Sequence, residues 1–147
     1  MIKAIIFDLV GVLVFKKEEF VPTSVNQKNA QNIENLFNHL DDTKLLNDIR
    51  KKLKLSNKEI KEATSVIHQK FEKFEKLWKI LPSLKKKYKL AIINNGNAIA
   101  LKHWKENFDF SIFDLFINSA EVKIKKYKKY QLRWKRSVNL MLKPKKI

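Results

Sequence analysis

Asp8 is the residue of this chain best placed to do chemistry. It follows Ala4-Ile5-Ile6-Phe7, a short continuous apolar run of the kind that forms a strand covered on both faces. In open parallel sheets, ligands bind outside the carboxyl ends of the strands, so a carboxylate there is a candidate reactive group. It is equally the kind of aspartate that caps an ordinary turn, and its neighbours must decide between the two. Two positions on stands Val10. In locally extended backbone, residues two apart point to the same side, so a carboxylate at position 10 would face Asp8. Two close carboxylates split their pKa values, one ionised to act as nucleophile and one protonated to act as acid. Valine supplies no acid.

The residues around Asp8 carry a resemblance. A hydrophobic strand followed by Asp8-Leu9-Val10-Gly11-Val12-Leu13 resembles the first motif of the haloacid-dehalogenase-like (HAD) superfamily, Asp-x-Asp-Gly-(Thr/Val)-Leu. The first aspartate, the glycine and the apolar pair match, and the second aspartate does not. The resemblance implies Asp8 as nucleophile and position 10 as the general acid/base. Most members are Mg²⁺-dependent phosphatases, and a minority cleave carbon–halogen bonds. Without an acid, a phosphate-ester alkoxide leaves unprotonated, which typically costs ~10²–10⁴ in rate. A halide needs no proton to leave, so dehalogenation tolerates valine here, but a degraded phosphatase would carry the same substitution. The phosphatase type is the expected one.

Three further segments take their meaning from the same resemblance. The second family motif is a strand ending in Thr or Ser, often followed by Asn and Gly. Ile92-Ile93-Asn94-Asn95-Gly96 is similar to it, with Asn94 in place of the hydroxyl and able to donate through its amide. Asn94, with Asn95 and Gly96, is thus expected to contact the substrate, although Asn-Gly is also an ordinary turn. The third motif is a lysine that neutralises the phosphate. Lys126 matches it best, with Lys125 and Lys123 as alternatives in a run that also reads as a solvated basic surface. The fourth motif, one or two metal-binding aspartates after a fourth strand, has no counterpart, because the last acidic residue is Glu121. The implied Mg²⁺ is left with Asp8 and the backbone carbonyl of Val10, where one or two carboxylates are usual. His39, His68 and His103 are scattered and form no ligand spacing.

The elements that must position these residues follow from periodicity. From about Lys16 to Ile80 the chain reads as helical throughout. Asn32, Ile33, Leu36, Phe37 and Leu40, then Leu45, Leu46, Ile49 and Leu53, then Ile60, Ala63, Val66, Ile67, Phe71 and Phe74 keep helical spacing. Asp41-Asp42-Thr43 is a plausible break and N-cap, and Ser56 with Glu59 fits a capping box. Leu77–Lys87 predicts a helix leading into a strand at Leu90–Ile93, and Asn97–Phe108 a helix leading into a strand at Leu115–Ile117. Strands alternating with helices predict parallel pairing with right-handed crossovers. The expected fold is α/β: a partial Rossmann-like parallel sheet of about three strands with an all-helical insert. Residues 1–14 and 81–147 would form the core and 15–80 the cap, which in the family closes over the active site and sets substrate choice.

Composition bounds what remains. The 147 residues are 44% hydrophobic and 32% charged, with 16 aromatics and no cysteine, which excludes a disulfide framework and a Cys nucleophile. No apolar run approaches the ~18 residues of a membrane span, and the N-terminus lacks the pattern of a secretory signal, so a cytoplasmic protein is expected. The net charge is +17, of which residues 122–147 carry +11. Basic residues interleaved with Tyr127, Tyr130 and Trp134 at helical spacing fit nucleic acid as an alternative. They equally fit the helix that follows the third motif in the family fold, and nucleic acid is not the expected partner. The chain stops about where a fourth strand should begin, which leaves the Ile5-Ile6 strand as a sheet edge able to pair with another chain. The expected function is hydrolysis of a small phosphorylated or halogenated substrate through an aspartyl nucleophile, with impaired turnover. The alternative is a non-catalytic truncated or split fragment that needs a complementing partner, another copy or a second fragment.

Overall fold

The computed structural model describes residues 1–36, 42–96 and 98–122. Strand β1 (Ala4–Phe7) opens the chain and a three-residue strand β2 (Val14–Lys16) follows it. Helices α1 (Val25–Glu34), α2 (Asp42–Leu53) and α3 (Asn57–Ser65) come next, then a turn of 3-10 helix at Ile67–Lys70 and strand β3 (Phe71–Lys73). Helix α4 (Glu75–Lys87), strand β4 (Lys89–Asn94), helix α5 (Ala98–Asn107), strand β5 (Leu115–Asn118) and the short α6 (Ser119–Val122) complete the order.

β1, β4 and β5 form a parallel sheet in the order β1-β4-β5, with Phe7 opposite Ile92 and Asn94 opposite Asn118. Both crossovers step in the same direction, and the right-handed rule therefore places α4 and α5 on one face. The packing agrees. Phe7, Leu90 and Ile92 from the sheet, Leu81 from α4, and Ala100 and Trp104 from α5 share one core with Leu9, Leu13, Val14 and Phe113. Aromatic edges fill it: Phe7 meets Phe113 at 5.9 Å and Phe71 meets Trp104 at 4.9 Å between ring centroids. Asp114 ties the entry of β5 to β4, accepting from Leu90 N at 2.9 Å and from Lys85 Nζ at 2.6 Å. β1 differs from the strand covered on both faces that its sequence suggests, since Ile6 is 43% exposed. The reason is topological: among the described residues β1 is the edge of the sheet.

A second core lies within α1–α3. Ala30, Ile33, Leu45, Ile49, Ile60, Ala63 and Ile67 pack together, and Ile99 from α5 reaches into this cluster. The capping box at Ser56 forms as expected, with Glu59 N donating to Ser56 Oγ at 3.2 Å and Ser56 N to Glu59 Oε2 at 2.7 Å. An equivalent box forms at Ser24 with Gln27. Phe37, Leu40 and Asp41 lie outside the described residues, as does Asn97.

The reading of 16–80 as helical throughout needs correction at its ends. β3 pairs antiparallel with β2, Val14 opposite Lys73 and Lys16 opposite Phe71. The spacing of Ile67, Phe71 and Phe74 mimics a helix, but α3 ends at Ser65 and the chain straightens to pair with a segment more than fifty residues earlier. Nonlocal pairing here overrides local pattern. This ribbon carries the chain out to α1–α3 and back, and α4 begins directly after it at Glu75.

The 3-10 turn packs against α5, which brings His68 near His103. Burial, then the charges of His103 and Lys17, outweigh a main-chain hydrogen bond to Ser65 and push His68 below its ordinary value of 6.5. The folded state therefore favours neutral His68. That stabilisation is fully present above 6.5 and is lost as pH falls below it. The midpoint of urea unfolding should drop between neutral pH and about pH 5, and His68→Gln should flatten the slope in that window. An identical slope in the variant would remove His68 as its cause.

Candidate active site at the carboxyl edge of the sheet

Asp8 directly follows β1, at the carboxyl edge that also carries Asn94 and Asn118. Its Oδ1 accepts from Leu9 N at 2.8 Å. From Leu9 the backbone turns sharply. Leu13 N and Val14 N both donate to Leu9 O, at 2.9 and 3.0 Å, and Gly11 N donates to Val14 O at 2.8 Å. Gly11 has φ +87, a conformation that glycine reaches without a Cβ penalty. Leu9, Leu13 and Val14 are each 0% exposed and anchor the turn in the core. Position 10 is left at the tip: Val10 is 47% exposed and forms an isolated bridge with Val14. The turn begins at Leu9, and the burial of that leucine fixes it.

Asn94 is 7% exposed, and its Nδ2 donates to Asn118 Oδ1 at 3.1 Å. The register makes this possible, since the two asparagines are opposite one another at the ends of β4 and β5. Asn118 Nδ2 in turn donates to Gly96 O at 3.2 Å. Ser119 Oγ accepts from Gly96 N at 3.0 Å and donates to Gly96 O at 3.1 Å. The amide that the sequence suggests for a substrate contact thus has a partner within the protein, and Asn95, beside it, is solvent-exposed. Asn118 and Ser119 are the residues sequence reasoning passed over. Their signal is an Asn-Ser pair directly after the third apolar run, in register with Asn94.

Lys123, Lys125 and Lys126 lie outside the described residues, as does the whole basic stretch 123–147. The residues directly following the three parallel strands are Asp8, Asn95 and Ser119, so the edge offers one carboxylate from these positions. Among the described residues no group of three or more His, Asp or Glu side chains could hold a metal ion. That donor set is at the lower limit for Mg²⁺, which takes one or two carboxylates and completes its shell with water and substrate phosphate.

No protein-family model and no curated protein matches the sequence. Solved structures do. A HAD family enzyme of Bacteroides thetaiotaomicron, wild type, in complex with magnesium and inorganic phosphate, is 21% identical, with a TM-score of 0.66 over 95% of this chain and 78% of that one. An aspartate-to-alanine mutant of the same enzyme, also with magnesium and inorganic phosphate, gives 22% and a TM-score of 0.63 over 87% and 73%. Its magnesium complex gives 21% and 0.63 over 95% and 77%.

The fold is HAD-like. The α/β architecture, the parallel sheet and the helices between β1 and β4 match in three dimensions at an identity too low for sequence alone. Within the HAD-like fold, the turn after β1 is the element that presents Asp8. Space around Gly11 is open, with nothing within 4 Å of an added Cβ. Gly11→Ala is therefore expected to destabilise through backbone strain alone, by about 1–2 kcal/mol. Urea unfolding measures this, and an unchanged midpoint would show that the turn relaxes without glycine.

Proposed function

We propose that this chain acts on a small phosphorylated substrate through Asp8 and turns over slowly because position 10 carries no acid. What supports this most is a single observation: an aspartate at the carboxyl end of the edge strand of a HAD-like sheet, held by a glycine turn whose Leu9, Leu13 and Val14 are fully buried. An Asp8 carboxylate oxygen attacks phosphorus, the P–O bond to the leaving group breaks, and the phosphoryl group stays on Asp8 until water removes it. Asn95 and the Gly96 loop face the anion, Asn94 orients that loop, and Lys126 supplies positive charge. Mg²⁺, held by Asp8 and the Val10 main-chain carbonyl, would neutralise phosphate charge when bound. The helices α1–α3 serve as the cap that screens the site and selects the substrate.

Val10 provides the test. It is 47% exposed, so an acidic side chain fits without entering the core. Val10→Asp should raise turnover of an alkyl phosphate, whose alkoxide needs a proton to leave, by ~10²-fold or more, the usual worth of a positioned general acid, and Asp8→Asn in that background should abolish it. Turnover that survives Asp8→Asn would dismiss the aspartyl mechanism. Activity on a 2-haloacid but on no phosphate ester would favour the dehalogenase variant.

Among the described residues β1 is a sheet edge with Ile6 43% exposed, which supports strand addition by a second copy as the partner contact. Light scattering should show a dimer whose population falls with Ile6→Lys. A strictly monomeric chain at all concentrations would dismiss this contact. Among the described residues no helix is long and apolar enough to cross a membrane.

A further inference from the structure

We infer that the Asn95–Gly96 peptide is a latent site of succinimide formation, held shut by Asn118 and Ser119, which act as positioning residues for the turn between β4 and α5. Asparagine followed by glycine is the pair most prone to this reaction, because the second residue has no side chain to hinder ring closure. The Gly96 main-chain nitrogen loses its proton to solvent and attacks Asn95 Cγ. The new N–Cγ bond forms, the Cγ–Nδ2 bond breaks, and ammonia leaves. One water then opens the ring and leaves aspartate or isoaspartate at position 95. Asn95 is solvent-exposed, so that water is at hand.

The glycine fits closely between its neighbours. A Cβ at position 96 would lie 2.7 Å from Asn94 Nδ2, closer than real Cβ atoms approach, and a tight 3.0 Å from Asn118 Oδ1, so the two amides would have to shift. Packing at the strand ends thus favours the residue that creates the liability. The same neighbours oppose it. The attacking nitrogen is engaged, since Gly96 N donates to Ser119 Oγ at 3.0 Å. The peptide is also held against rotation, because Gly96 O accepts from Ser119 Oγ at 3.1 Å, from Asn118 Nδ2 at 3.2 Å and from Ala120 N at 3.2 Å. Asn118 is 0% and Ser119 4% exposed, so water competes little for these bonds. Release of the clasp would place a carboxylate on the edge that carries Asp8, and only that consequence rests on the proposed function.

The test needs no activity. The full chain is incubated at mildly alkaline pH, and isoaspartate at position 95 is followed by peptide mass spectrometry. Ser119→Ala should deamidate about tenfold faster than wild type, the factor that corresponds to one ordinary hydrogen bond. Ile60→Ala, which opens a cavity in the α1–α3 core, controls for general loosening and should leave the rate near wild type. Equal rates in wild type and Ser119→Ala would overturn the inference. So would an equal acceleration in Ile60→Ala, because the protection would then come from global stability.

Discussion

Leu13 is the point on which the rest of the structure depends. Its side chain is fully buried in the main core. Its carbonyl oxygen accepts from Phe74 N at 2.9 Å and from Trp78 Nε1 at 2.7 Å. One residue therefore joins the turn that follows Asp8, the return of the β2–β3 ribbon and the start of α4. A buried carbonyl left without those donors would lose stability on the order of 1–3 kcal/mol. The geometry of the candidate site is thus set by core packing behind it, while Val10 and Asn95 in front of it are exposed.

Such an arrangement separates fold from activity. The buried set Leu9, Leu13, Val14, Leu90 and Ile92 holds Asp8 at the end of β1 whatever stands at position 10. Val10, exposed at the tip of the turn, adds little to that packing. The single carboxylate offered directly after the three strands and the exposed valine at the tip of the turn point the same way. Under the proposed function, they would give a site that presents a nucleophile with less help for the leaving group and for the metal.

Much of this was legible in the sequence, for identifiable reasons. β1 matches the apolar run Ala4–Phe7 residue for residue, and β4 and α4 lie within two residues of their expected bounds, because each is a strong local signal. The Ser56 capping box could be read directly from its Ser-x-x-Glu spacing. β3 was not legible, since Phe71-Glu72-Lys73 becomes a strand only through pairing with Val14–Lys16. The part played by Asn118 depends on the β4–β5 register, which no local pattern encodes. The exposure of Ile6 follows from strand order, a property of the whole sheet. In the site, Asp8 could be singled out by type and position, whereas the partner of Asn94 needed the fold.

The central claim is that Asp8 is a competent nucleophile stranded without its acid/base. The most direct measurement is rapid acid quench of the full chain with an aryl phosphate, whose leaving group needs no proton, followed by peptide mapping. The account predicts a phosphoryl group on the peptide bearing Asp8, accumulating because water attack on it lacks the missing base, and absent from Asp8→Asn. No label at Asp8 with a substrate that the protein measurably binds would contradict it.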